Sequence, residues 1–212
     1  MKSEHFTRLS QLILGVSRET FEDLCRYETF IYKWQSHINL VARSTVSDLW
    51  SRHIFDSAQL FPLQIKAQNW LDLGSGGGFP GIVIAILLKG RGTGHIDLVE
   101  SNGKKAAFLR FVITSLSLPA TVHCMRIENI YNIIVPPAVI TARALTSLVR
   151  ICEFIAPVVD RETVILIQKG RFYLQELSKA QIKWQFHVIE HTSIISQESV
   201  ILEMRELQCA NL

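Results

Sequence analysis

The sequence predicts a doubly wound α/β fold, built on a mostly parallel sheet and preceded by a helical extension. Three observations carry that reading. From Asn69 onward, short apolar or β-branched runs alternate with helical stretches, the grammar of a parallel sheet. Gly74, Gly76, Gly77, Gly78 and Gly81 end the first of those strands and open a helix, where open α/β sheets bind ligands. Before Asn69, apolar residues recur only at helical spacing. The boundaries fall at 1–66 for the helical extension and 67–212 for the α/β domain, the two together forming one compact unit.

Within the extension, Leu9, Leu12, Ile13 and Val16 share one helical face. Ser17 is placed to cap a second helix, with Glu19 favourable in its first turn and Leu24, Tyr27, Ile31 and Trp34 as its apolar stripe. A third short helix is expected over Asp48 to Leu60, ending near Pro62. Strands follow at Trp70–Leu73, His95–Glu100, Thr121–Met125, Ala138–Thr141 and Thr163–Gln168. Helices between them are expected at Pro80–Leu88, Lys104–Leu116 and Ser147–Ala156. Phe186–Ile189 and Val200–Glu206 read as two final strands, one of them antiparallel.

Bulk properties narrow the class. With 212 residues, 48% hydrophobic and 19% charged, the chain can bury one good core and is not disordered. Mean hydropathy is +0.22. The longest apolar run, Ile82–Leu88, is nevertheless far short of the roughly 20 residues a spanning helix needs. Met1-Lys2-Ser3-Glu4 does not read as a signal peptide, so a cytoplasmic protein without membrane attachment is expected. The net charge of +3 permits a nucleic-acid partner without requiring one. Cys25, Cys124, Cys152 and Cys209 form no C-x-x-C pair, which argues against zinc ribbons and redox motifs, and no metal site is expected. Cys124 is expected to be a buried, inert thiol.

The sharpest signal is the run Leu71-Asp72-Leu73-Gly74-Ser75-Gly76-Gly77-Gly78-Phe79-Pro80-Gly81. Glycine there lets backbone approach a ligand. The run fits D-x-G-x-G-x-G, a loop that binds S-adenosylmethionine, and also G-x-G-x-x-G, a dinucleotide loop. A tight turn without any ligand is the third reading. Both ligand readings want an acid at the end of the next strand to hold ribose hydroxyls, and Glu100 stands there. Asp72 favours the first, because a carboxylate beside a pyrophosphate would repel it.

Further motifs lie in order along the chain: Trp34 with Asn39-Leu40; Arg52-His53-Ile54-Phe55-Asp56-Ser57; the glycine loop with Phe79-Pro80-Gly81; Lys104-Lys105 with Phe108-Leu109; Arg126-Ile127-Glu128; Thr141-Ala142-Arg143-Ala144; and Lys169-Gly170. This ordered set resembles the small-subunit ribosomal RNA 7-methylguanosine methyltransferases, the glucose-inhibited division protein B family, over nearly the whole chain. The resemblance implies a Rossmann-like class I S-adenosylmethionine-dependent methyltransferase fold. It implies methyl transfer from S-adenosylmethionine to N7 of a guanosine in small-subunit (16S) rRNA, with that RNA or the 30S subunit as partner and a monomeric enzyme. Gly74, Phe79, Glu100, Ile127, Glu128 and Arg143 would form the cofactor site, with Arg143 near the reacting centre. Asn39, His53 and Lys169 would face the substrate. The chain departs from the family pattern at Ala138, where an acid is usual, and at Gln35, where asparagine is common.

Chemistry agrees with that acceptor. Guanine N7 carries a free lone pair and loses no proton on methylation, so no general base is required, and no catalytic dyad stands near the loop. Amine methylation would ask for a [DNS]-P-P-[YFW] turn after the fourth strand. Val135-Pro136-Pro137-Ala138 lies before that strand and reads as a loop. His53 and Asp56, three apart on a helix, either wall the substrate pocket or tie the extension to the main domain. Asn39 contacts cofactor or RNA, or caps a turn. Arg143 serves the cofactor, or makes a structural ion pair. Arg8, Lys33, Arg43, Arg52, Arg126, Arg143, Lys169 and Arg171 are the cations available to RNA, provided the fold gathers them.

Overall fold

A computed structural model of the chain describes residues 2–210. The extension begins with α1 (Lys2–Leu12) and α2 (Arg18–Gln35). Ser17 caps α2 as its side chain accepts from Thr20 N, satisfying one of the first-turn amides. The expected third helix is broken up. A 3₁₀ turn at Arg43–Asp48 leads into a π-helical turn at Trp50–Phe55, and only Asp56–Ala58 (α3) is α-helical. The π turn carries His53, whose contacts are described below; such turns are often found at functional sites.

Seven strands form one sheet: β1 (Asn69–Leu73), β2 (His95–Val99), β3 (Ala120–His123), β4 (Val139–Arg143), β5 (Val164–Lys169), β6 (Trp184–Thr192) and β7 (Val200–Cys209). Their order is β3-β2-β1-β4-β5-β7-β6. The first five are parallel, and β7 runs antiparallel to both β5 and β6. The expected mostly parallel sheet with an antiparallel strand near the end is therefore present. The connecting helices are α4 (Gly81–Arg91), α5 (Gly103–Leu116), α6 (Leu148–Ile155) and α7 (Tyr173–Lys183). α7 is absent from the expected elements. Only Leu177 and Ala180 are buried on it, so its apolar stripe is thin.

The two faces of the sheet bury different cores. Alternation along β5 sends Val164 and Leu166 to one side, Ile165 and Ile167 to the other. The first side holds α4, α5 and the extension: Leu9, Leu24, Tyr27 and Ile31 pack into one cluster with Ile82 to Leu88. That explains why Ile82–Leu88 is apolar all round, since α4 lies between the sheet and α2. The second side is closed by α6 and α7, which contribute Leu148, Ile151, Ile155 and Leu177. No helix among the described residues is long and apolar enough to cross a membrane.

Candidate active site

The parallel strands all end at one edge of the sheet, and the glycine loop leaves β1 there. Gly74 N and Ser75 N donate to Val99 O (2.9 and 3.1 Å), pinning the loop to the end of β2. Gly74, Gly76 and Gly78 have φ of +68°, +57° and +96°, a region that side chains disfavour. Gly81 is required for a different reason: a Cβ there would overlap Leu98 and lie 2.6 Å from Asp72 Oδ2. From the other side, the fully buried Tyr27 of α2 donates its hydroxyl to Gly77 O (2.6 Å).

Glu100 closes the loop from below. Its Oε2 accepts from Gly76 N (2.8 Å) and its Oε1 from Asn102 N (2.7 Å). Asn102 in turn caps α5, accepting from Lys104 N and Lys105 N. The carboxylate is thereby fixed, yet each oxygen keeps a second lone pair, and the residue remains 8% exposed. Around it lies a cleft of ≈ 380 Å³, within the range of small-molecule pockets, roughly 300–1,000 Å³. Its walls are Gly74, Gly76, Val99, Glu100 and Ser101 on one side, Met125 to Glu128 on a second, Ala144 to Thr146 on a third, with Lys105, Arg150 and Phe154.

Asp72 is not in the cleft. It is buried beneath the loop, with Oδ1 accepting from Thr141 Oγ1 (2.9 Å) and Oδ2 without a hydrogen bond. Burial raises its carboxyl to about 6, although hydrogen bonding from Thr141 works against the rise.

Arg143 ends β4 but turns away from this cleft, toward the extension. Its Nη1 donates to Asp56 Oδ2 (3.0 Å) and Arg52 O (3.2 Å), and its Nη2 to His53 Nδ1 (2.8 Å). A guanidinium only donates, so His53 Nδ1 must be the unprotonated nitrogen. Nε2 then carries the hydrogen and donates to Thr45 Oγ1 (2.8 Å), whose hydroxyl passes on to Ala42 O (2.9 Å). Burial, with Arg143 and Arg52 nearby, lowers the His53 imidazole to about 4. Burial also raises the Asp56 carboxyl, while the charge of Arg143 pulls it back. Phe79 lies under this assembly, 5.4 Å from the Arg143 guanidinium and 5.0 Å from the His53 ring.

The sequence-predicted residues therefore separate. Gly74, Glu100, Ile127 and Glu128 line the cleft; Phe79 and Arg143 do not, and belong to the neighbouring clamp with His53. The Arg143 ion pair and the His53–Asp56 tie are the geometry the structure shows. Asn39 lines a shallow depression with Leu40 to Arg43, which shares Lys105 with the cleft. Among the described residues it caps no turn; Gln35 does that, its Oε1 accepting from Leu40 N and Val41 N (3.0 and 3.1 Å). Lys169 Nζ donates to Thr146 O (2.7 Å) and pairs with Glu176 (2.8 Å), so it braces a cleft wall from behind. Cys124 corrects an expectation. It follows the last residue of β3 and is exposed, because the strand ends one residue before it. The cleft residues outside the expected cofactor set include Lys105, Leu145, Arg150 and Phe154, and Arg126, which the sequence offers only as a cation for RNA. Lys105 and Arg126 stood inside motifs; Arg150 and Phe154 carried no local signal.

Residues 20–206 match the family described as GidB: rRNA small subunit methyltransferase G. The chain belongs to this family. A protein from Bartonella henselae named ribosomal RNA small subunit methyltransferase G is 51% identical over 205 residues, covering 97% of this chain and 95% of that one. A protein of the same name from Brucella canis is 49% identical over 203 residues, 96% and 95% of the two chains. Among solved structures, a precorrin-6y C5,15-methyltransferase from Geobacter metallireducens aligns with a TM-score of 0.53 at 13% identity, covering 79% of this chain and 91% of that one. A ribosomal protein L11 methylase from Lactobacillus delbrueckii gives 0.54 at 14% identity, with 71% and 78% covered. These two show a shared Rossmann-like methyltransferase fold.

Proposed function

We propose that the chain transfers a methyl group from S-adenosylmethionine to N7 of a guanosine in small-subunit rRNA. The observation that carries the reading is Glu100: a buried, doubly anchored carboxylate with lone pairs open to a cleft walled by the glycine loop. Vicinal ribose hydroxyls donate to such an acceptor, and its anchoring by two backbone amides means little reorganisation on binding. Ile127 offers an apolar wall for an adenine ring. Lys105 and Arg126 bring to the cleft positive charge that no ion pair among the described residues neutralises, suited to a carboxylate on the ligand and to RNA phosphates. When bound, S-adenosylmethionine supplies a methyl group activated by a sulfonium.

The protein's task is then placement. N7 attacks through its own lone pair, so nothing has to accept a proton, and holding acceptor and methyl in line provides most of the acceleration. The cleft fits that economy. Asp72, the carboxyl whose raised value would suit a base, lies sealed under the loop and cannot reach an acceptor. Its role is to hold β1, β4 and the approach of Gly81 in register. The His53–Arg143–Asp56 clamp fixes the extension against the end of β4, forming the wall next to Phe79.

Two measurements test this. Mapping 7-methylguanosine in small-subunit rRNA from cells with and without the protein should show one site lost; an unchanged map would remove the proposed reaction. Calorimetry should show binding of S-adenosylhomocysteine and not of NAD; the reverse would overturn the reading of the glycine loop.

A further inference from the structure

We propose that Arg171 and Phe172, where the chain leaves β5, form a platform on which a base of the substrate RNA stacks. A single exposed apolar residue ordinarily needs no explanation. Here place, geometry and charge coincide. Phe172 is 60% exposed, and the Arg171 guanidinium lies over its ring, 5.1 Å from the centroid, so a planar cation and an aromatic ring are presented together at one exposed spot. Among the described residues, Arg171 makes neither an ion pair nor a side-chain hydrogen bond, leaving its charge available. Unstacked RNA bases are held on just such aromatic rings and guanidinium planes.

The pair stands on the ligand-binding edge of the sheet. Lys169, two residues earlier, reaches Thr146 O, and Thr146 lines the cleft. Gln168, the residue before it, donates to Asp56 O (2.8 Å), which brings the extension with its exposed Arg52 to the same strand ends. Arg52 likewise makes no ion pair among the described residues. Two arginines without ion pairs among the described residues thus stand at the same strand ends as the ring, a surface complementary to a polyanion carrying stackable bases. Gly170 leaves the turn open, since an added Cβ would meet nothing within 4 Å. The platform holds a nucleotide neighbouring the target guanosine and positions RNA without touching the reacting atoms. It rests on the rRNA reading above.

The test is steady-state methyl transfer to small-subunit rRNA, naked and in 30S particles, prepared from cells lacking the enzyme. On whichever substrate the wild type methylates, Phe172→Ala should raise KM for RNA roughly 5- to 150-fold, the range of one lost base stack. KM for S-adenosylmethionine and kcat should stay within about two-fold of wild type. Phe172→Trp should restore the RNA KM, whereas Phe172→Leu, apolar but without a π face, should not. Arg171→Ala should lower the salt slope of RNA binding by about 0.7, one phosphate's share. An unchanged RNA KM in Phe172→Ala, or full rescue by leucine, overturns the platform. A wild-type enzyme that methylates neither substrate overturns the rRNA reading itself, and the platform with it.

Discussion

Along one edge of the sheet, the β1–β2 end and the β4–β5 end make a contrast. At the first, Glu100 and the glycine loop satisfy one another with backbone amides and leave acceptor capacity facing an open cleft. At the second, Arg143, His53 and Asp56 spend their polar groups on each other and on Arg52 and Thr45. Motif residues of similar character thus do opposite work. One end leaves acceptors facing an open cleft. The other consumes its chemistry in tying the extension to the end of β4. The distinguishing quantity is what remains unpaired once the protein's own hydrogen bonds have been counted.

Perturbing each end separately should separate the two roles. The largest effect is expected at the clamp. Asp56→Ala leaves Arg143 partly buried and without its anion, at a cost of about 3–5 kcal/mol in urea unfolding. A loss under about 1 kcal/mol would mean the pair behaves as an exposed one.

The two ends should also respond to pH with opposite sign. His53 falls to about 4 in the folded protein, from an ordinary 6.5. The unfolded chain takes up that proton first, so stability is lost as pH falls from 6.5 toward 4. Asp72 rises to about 6 from 3.8. The folded chain holds that proton longer, so stability is lost as pH rises through the same region. Each term amounts to about 3 kcal/mol, and the two oppose one another in the wild type. Asp72→Asn should expose the histidine term as stability that increases from pH 4 to 6.5. His53→Gln should expose the carboxyl term as stability that decreases. Two variants with identical pH profiles would refute the assignment.

At the open end, Glu100→Ala should weaken S-adenosylhomocysteine binding by about 1–3 kcal/mol in calorimetry, and unaltered affinity would deny Glu100 its role at the ribose. The smallest effect is at the junction. Tyr27→Phe deletes the bond to Gly77 O and should lower stability by about 1 kcal/mol; a larger drop in ligand affinity than in stability would show that α2 sets the loop's shape.

Much of this molecule was readable before folding. The alternation of strands and helices is set by burial on both sheet faces, so β1 to β5 fall close to their expected positions. α7 buries only Leu177 and Ala180, so it leaves little periodicity in the sequence. A π turn has no sequence signature of its own, so the sequence predicts an ordinary helix there. Gly74 and Glu100 were legible because a close backbone approach and a strand-end acid leave local marks. The orientation of Arg143 was not, for it is decided by His53 and Asp56, some ninety positions earlier in the chain. Arg150 and Phe154 join the cleft only because α6 packs beside the end of β4, a relation no local window contains.

The core that unites Leu24, Tyr27 and Ile31 with Ile82 to Leu88 has a consequence for biosynthesis. Translation delivers α2 well before α4, so a nascent chain halted near the glycine loop displays an oily stripe with nothing to cover it. Chaperone engagement should peak at that length and fade once Arg91 has cleared the exit tunnel, giving this enzyme a vulnerable interval early in its own synthesis.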